Sequence, residues 1–179
     1  KKVSHKIPML SLGNAFSEED LINFEKKILN YLNKDRTFKI EYSAEPKIDG
    51  ISASLIYING KFETGLSRGD GKEGEDITSN LKTINDIPKV ITDKNFPNEI
   101  DIRGEVFIQN SDFKKIENKF ANPRNAASGS LRQKNSEETK KIPLKFIAYT
   151  FGFEKGLKID KQNDFFKNFE KWCFKNNYL

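Results

Sequence analysis

The chain has 179 residues, 36% of them apolar, and a formal net charge of +5, enough for one respectable core and, on ordinary domain lengths, one domain. Its longest apolar run, Phe146 to Phe153, is broken by Thr150 and Gly152 and falls far short of the ~20 residues of a membrane-spanning helix. A single cysteine, Cys173, cannot form an internal disulfide, no Cys/His cluster has zinc spacing and there is no signal-peptide pattern, so the expectation is a soluble, cytoplasmic protein without a structural metal.

After a loop holding His5, Pro8 and Ser11-Leu12-Gly13-Asn14, Ser17 reads as a helix N-cap with Glu18, Glu19 and Asp20 in the first turn and Leu21, Phe24, Ile28 and Leu32 as an apolar stripe. Phe38 to Lys47 alternates as a strand, with Phe38, Ile40, Tyr42 and Ala44 on one face and Lys39, Glu41 and Ser43 on the other. Glu45, Lys47 and Asp49 continue its polar side, and Gly50 allows a sharp turn or a close backbone approach. A second strand, Ile51 to Ile58, meets Asn59-Gly60, the strongest short hairpin signal, and returns through Lys61 to Ser67.

The glycine-rich loop Arg68-Gly69-Asp70-Gly71-Lys72-Glu73-Gly74 follows, and then Ile77, Leu81, Ile84 and Ile87 mark a short helix and turn ending at Pro88. Glu99 to Ile108 alternates again, with Arg103 and Glu105 on its polar face. Ser111 reads as the cap of a helix carrying Phe113, Ile116 and Phe120. Asn122-Pro123-Arg124-Asn125 then opens a segment of small residues, Ala126 to Ser130, which permits close backbone packing. Leu144 to Phe151 is apolar on both faces, as in a buried strand, and Phe165, Phe169 and Trp172 mark a last amphipathic helix with Cys173 as a buried apolar neighbour. Antiparallel strands interspersed with helices give an α+β fold class.

Charge is unevenly spread. Between Lys114 and Lys145 nine basic residues face three acidic ones, a local +6 that exceeds the excess of the whole chain and leaves about −1 for the remainder. This segment suits either a polyanion or a solvated lysine-rich face. Only five residues are arginine, namely Arg36, Arg68, Arg103, Arg124 and Arg132, and a guanidinium among so many lysines suggests bidentate binding of phosphate or carboxylate.

The sharpest chemical feature is Glu45-Pro46-Lys47-Ile48-Asp49-Gly50. Lys47 is a candidate covalent nucleophile, but a nucleophilic amine must lose its proton and adjacent carboxylates favour the ammonium form. A cation, either Mg²⁺ or an arginine such as Arg68, must oppose them. Standing alone, the six residues read more readily as a salt-bridge ladder along a strand.

Lys47, Asp49 and Gly50 form a Lys-x-Asp-Gly pattern that resembles the signature of covalent nucleotidyltransferases: DNA ligases, RNA ligases and capping enzymes. Residues 5–16 (HKIPMLSLGNAF), 45–50 (EPKIDG), 67–80 (SRGDGKEGEDITSN), 83–88, 103–107 (RGEVF) and 120–133 (FANPRNAASGSLRQ) resemble, in order, the NAD-dependent DNA ligases of bacteria. One such motif is weak; the ordered set is specific. Two departures are Gly13, where the family usually carries an acid, and a short segment between Phe113 and Phe120.

The resemblance implies a nucleotidyltransferase (adenylation) fold over residues 1–179, without the family's preceding helical domain that holds the nicotinamide half of NAD and without two further lysine-bearing strands. It implies that Lys47 attacks the α-phosphorus of NAD to form lysyl-AMP, with Asp49 beside it. Asp49 reads equally as a turn-former before Gly50. By resemblance, Glu45 meets the adenine amino group, Ser11 and Leu12 line the nucleotide site, Arg68 grips ribose or phosphate and Glu105 holds the ribose hydroxyls. Arg124 and Arg132 match positions that contact the phosphates of nicked duplex DNA; eight residues apart with Ser128 between, they share roughly one helix side. Mg²⁺ is the implied metal, and a monomer acting in DNA replication and repair the implied state. Thr78 and Asn80 read as local backbone partners and His5 as structural or adenine-adjacent. Two rivals are an ATP-using ligase or capping enzyme and a non-catalytic nucleic-acid-binding module.

Overall fold

Asn59 and Gly60 take φ values of 49° and 76°, the left-handed pair that a tight hairpin requires, and join β1 (Ile51–Ile58) to β2 (Lys61–Ser67). In the computed structural model, which describes residues 1–157, 159 and 161–176, this hairpin forms one side of a four-stranded antiparallel sheet. Its other members are β3 (Glu99–Phe107) and β4 (Lys145–Lys155), in the order β2, β1, β3, β4. The chain divides into two units, Lys1–Met9 with Glu45–Leu179, and Leu10–Ala44.

One face of the sheet is apolar: Ala53, Leu55, Tyr57, Ile100, Ile102, Val106 and Phe146 are all essentially buried. Helix α1 (Pro123–Leu131) supplies part of its cover with Ala126, Ala127 and Leu131. Asn122 caps it by accepting from the Asn125 N–H at 2.8 Å, and Pro123 fills the first helical position, where no N–H is missed. The small residues of the sequence are thus the ones that let a helix lie close. Buried Asn80, in the short helix Thr78–Leu81, donates to the Gln133 carbonyl at 2.9 Å and to Thr139 Oγ1 at 2.7 Å, fixing the joint after α1.

At the far end, helix α2 (Gln162–Lys171) buries Phe165, Phe166 and Phe169. It ends with Cys173 at φ 63°, while Phe174 N–H bonds Phe169 O and Cys173 N–H bonds Glu170 O, the paired bonds of a left-handed helix stop. Phe174 then reaches Phe169 and Tyr57, both with ring centroids 5.9 Å apart. The stop places Cys173 on the outside: Trp172 is buried as expected, but Cys173 is exposed.

The opposite sheet face is polar and equally closed. Asp101, Arg103 and Glu105 are only 4, 7 and 8% exposed, so alternation located this face correctly and gave no hint of its burial. The N-terminal stretch Lys2–Ser4 pairs antiparallel with Glu73–Glu75.

Three expectations are corrected. Residues 38–47 form no β-strand; Phe38 and Tyr42 stay 44 and 57% exposed, so the apolar side of the alternation buries little, and Pro46 brings no N–H to a ladder. Ser111 caps nothing. The helix there is a single turn, Asn110–Phe113, with Gln109 at its N-cap position making no side-chain cap bond, and it is followed by a 3-10 turn at Glu117–Lys119, where Ile116 has left helical geometry at φ −130°. In the second unit, Ser17 does cap the helix Glu18–Tyr31 in a reciprocal box with Asp20, yet Leu21, Phe24 and Leu32 remain about half exposed and Leu29 is the buried one.

Candidate active site

Gly50 fixes the position of everything around Lys47. A Cβ there would stand 2.2 Å from the Val106 carbonyl oxygen, so only glycine lets the chain cross β3 at this point. Lys47 lies three residues upstream, outside any helix or strand, and is exposed, whereas Glu45 and Ile48 are half-buried. Gln162, the first residue of α2, donates both to Glu45 Oε1 and to the Tyr149 carbonyl at 3.2 Å, which ties the start of this segment to β4.

Across the ladder, Ser52 stands opposite Glu105, and its hydroxyl donates to Glu105 Oε2 at 2.9 Å. Burial pushes the Glu105 carboxyl above its ordinary range; the Ser52 hydroxyl, the nearby charges of Lys47 and Arg124 and the Gly50 backbone pull it back. The Lys47 charge thus lies within electrostatic reach of Glu105. Tyr149 belongs to the same cluster: burial raises its phenol, the Ser52 hydroxyl opposes this, and the charges of Glu105, Arg103 and Arg68 all reach it.

Arg124, in the first turn of α1, donates to Asp49 Oδ1 at 3.0 Å. This pair is solvent-exposed, so it orients more than it stabilises. Arg68, Arg124, Ser128 and Arg132 line one cleft of about 330 Å³ together with Lys2, Ser52 and Ser67, with Glu73 and Glu75 on its wall. The helical spacing argument holds, since Arg124, Ser128 and Arg132 all face this space. Arg132 Nε also meets Glu75 Oε2 at 3.4 Å. Three cationic forks around one hollow match polyanion chemistry.

The lysines of the basic segment behave differently. Lys115, Lys140 and Lys141 pair with Asp112, Glu137 and Glu138 one turn away; Glu137 and Glu138 are already counted in the local +6, so only Asp112 offsets it further. Ser11 and Leu12 lie in the second unit, both exposed, Leu12 to 78%. Thr78 and Asn80 serve the backbone as expected: Thr78 Oγ1 accepts from the Gly65 N–H at 2.8 Å. His5 shares a hydrogen bond with the Arg68 carbonyl at 3.2 Å. No cluster of three or more His, Cys, Asp or Glu side chains is arranged to hold a metal among the described residues.

Ser52, Tyr149 and Gln162 are the members of this site that the sequence did not single out. Ser52 is legible only once the β1/β3 register is known. Tyr149 sits in a run that reads as core, and Gln162 sits at the start of a helix whose signal is its aromatic stripe.

The whole chain, residues 1–179, matches the family model described as the NAD-dependent DNA ligase adenylation domain. It is 72% identical over 177 residues to a protein named DNA ligase from Pelagibacter ubique, covering 99% of this chain and 26% of that protein. It is 47% identical to a DNA ligase of Parvibaculum lavamentivorans and 44% to one of Xanthobacter autotrophicus, each over 186 residues, 99% of this chain and 26% of the relative. The chain thus spans about a quarter of the length of these relatives. Matched by this family model from its first residue to its last, the chain belongs to the NAD-dependent DNA ligase adenylation domain family.

Proposed function

We propose that residues 1–179 form most of an adenylation domain with the nucleotidyltransferase fold, and that the whole protein is a monomeric, cytoplasmic ligase that seals nicked duplex DNA in replication and repair with NAD as AMP donor. The helical domain that holds the nicotinamide half of NAD, and two further lysine-bearing strands, lie outside these residues in this reading. The observation that carries it is the junction at Arg124, which is bonded to Asp49, within electrostatic reach of Glu105 beside Lys47, and on the cleft wall with Arg68 and Arg132.

Lys47 attacks the α-phosphorus of NAD; the N–P bond forms as the bond to nicotinamide mononucleotide breaks, leaving lysyl-AMP. AMP then passes to the 5′-phosphate of the nick, and the 3′-hydroxyl attacks that phosphate and releases AMP. The amine must first be uncharged. Arg124 is ion-paired with Asp49, and burial shifts the Glu105 carboxyl toward its neutral form. Glu45 accepts from the adenine amino group, Glu105 from the ribose hydroxyls, Arg68 grips phosphate or ribose, Ser11 and Leu12 line the nucleotide, and Arg124 and Arg132 meet DNA phosphates. Mg²⁺ would be held mainly by the substrate phosphates, since no cluster of three or more His, Cys, Asp or Glu side chains is arranged for it among the described residues. When bound it neutralises phosphate charge.

The test is to supply NAD or ATP to the full-length protein, unaltered and as Lys47→Ala, and to follow AMP uptake and nicked-DNA binding. NAD-specific uptake lost in Lys47→Ala, with salt-sensitive DNA binding retained, is the expected result. Uptake from ATP identifies the ATP-using class, and DNA binding without any uptake in the unaltered protein identifies a binding module; either overturns the proposal. The 179-residue chain alone is expected to adenylate inefficiently, since it carries neither the nicotinamide contacts nor the extra lysines.

A further inference from the structure

Arg103 is buried two residues from Glu105 on the same face of β3, yet no step above uses it. Every nitrogen of its guanidinium has a partner. Nε and Nη2 both lie 3.0 Å from Asp101 Oδ2, Nη1 donates to the Pro8 carbonyl at 3.0 Å, and Nη2 donates to the Ile7 carbonyl at 2.5 Å. Asp101 is held in turn by the Ser54 hydroxyl at 2.5 Å on its other oxygen. A Cβ at Gly152 would fall 2.2 Å from Asp101 Oδ2 and 2.3 Å from Arg103 Nη2, so the ion pair lies flat against a strand that has no side chain to obstruct it.

The two carbonyls that Arg103 holds belong to the N-terminal stretch, and the other side of that stretch carries the Arg68 loop. His5 N–H bonds Lys72 O and Met9 N–H bonds Gly71 O, both at 2.8 Å. The His5 ring bonds the carbonyl of Arg68 itself, and Lys2–Ser4 pair with Glu73–Glu75. The stretch is therefore a strap, anchored by one buried fork on the sheet and laced by backbone bonds to the loop.

We propose that Arg103 is a positioning residue that, through the Lys1–Met9 strap, fixes the Arg68 loop relative to Glu105 and so sets the geometry of the nucleotide-binding side of the cleft. This rests on the reading of Arg68 as a nucleotide contact. Bond chemistry favours the assignment: Arg103 spends its fork on main-chain carbonyls, which carry no side-chain identity, and a planar fork is what can hold Asp101 and two successive carbonyls together.

The discriminating variant is Arg103→Lys in the full-length protein, which keeps a cation for buried Asp101 but cannot serve both carbonyls. Steady-state adenylation is measured for Arg103→Lys, Arg68→Ala and the double variant, alongside amide exchange at His5 and Met9. Expected are a rise of roughly tenfold or more in KM for NAD, the scale of losing one charge-assisted hydrogen bond, with kcat changed less, faster exchange at both amides, and no further rise when Arg103→Lys is added to Arg68→Ala. Fully additive effects on KM, an unchanged KM in Arg103→Lys, or unchanged amide exchange overturns the strap. If Arg68→Ala alone leaves KM unchanged, the reading of Arg68 fails instead, and exchange at His5 and Met9 still decides whether Arg103 holds the loop. Should Arg103→Lys fold poorly, Gly152→Ala provides a second route, displacing the ion pair without removing a charge, and the same KM and exchange outcomes apply.

Discussion

Replacing Ser52 by alanine should make the stability of this domain depend on pH in a calculable way. Glu105 is 8% exposed and its carboxylate accepts the Ser52 hydroxyl at 2.9 Å. Because its folded pKa is raised by burial above the ordinary value near 4.5, the folded state holds the proton more tightly than the unfolded chain. Stability from this group is therefore fully present below the unfolded pKa and is lost as pH rises through the folded one. A hydrogen bond to a charged group contributes about 1.5–3 kcal/mol and a neutral one about 1. Ser52→Ala should thus cost more at pH 7 than at pH 4, up to about 1.5–3 kcal/mol against about 1 kcal/mol, and it should push the Glu105 carboxyl further up. Urea unfolding at both pH values and carboxyl NMR titration measure these. An equal cost at pH 4 and pH 7 with an unmoved Glu105 would refute the reasoning.

Gly50→Ala should destabilise by about 1–3 kcal/mol, since its Cβ meets a main-chain oxygen at 2.2 Å that cannot rotate away, and thermal unfolding reads this directly. Arg124→Ala should barely alter stability, by about 0–1 kcal/mol, because its pair with Asp49 is exposed; it should instead lower the slope of log affinity for nicked DNA against log salt by roughly one. Asn80→Ala should cost about 1–3 kcal/mol by leaving the Gln133 carbonyl unsatisfied at the α1 joint, visible as a shifted urea midpoint.

What the sequence disclosed about this fold was strongest where chemistry is local. Asn59-Gly60 specifies a hairpin because both residues tolerate positive φ, and Asn122-Pro123 specifies a helix start because one supplies a cap and the other needs no donor. Alternation at Glu99 to Ile108 and the apolar run at Leu144 to Phe151 found two strands of the sheet, the latter continuing to Lys155. The same signal misled at Phe38 to Lys47, because a period of two says which side chains share a face and nothing about whether a ladder forms. Non-local facts were out of reach. The Ser52 to Glu105 bond depends on register, the Arg103 strap joins residues 95 and 96 positions apart, and Cys173 faces outward because a left-handed stop, not its apolar character, decides its direction.

The most direct measurement is peptide mapping of the full-length protein after incubation with NAD and Mg²⁺. The account requires one AMP on the peptide containing Lys47 and none in Lys47→Ala. AMP on another of the chain's many lysines, or on none while DNA is nonetheless sealed, would contradict it.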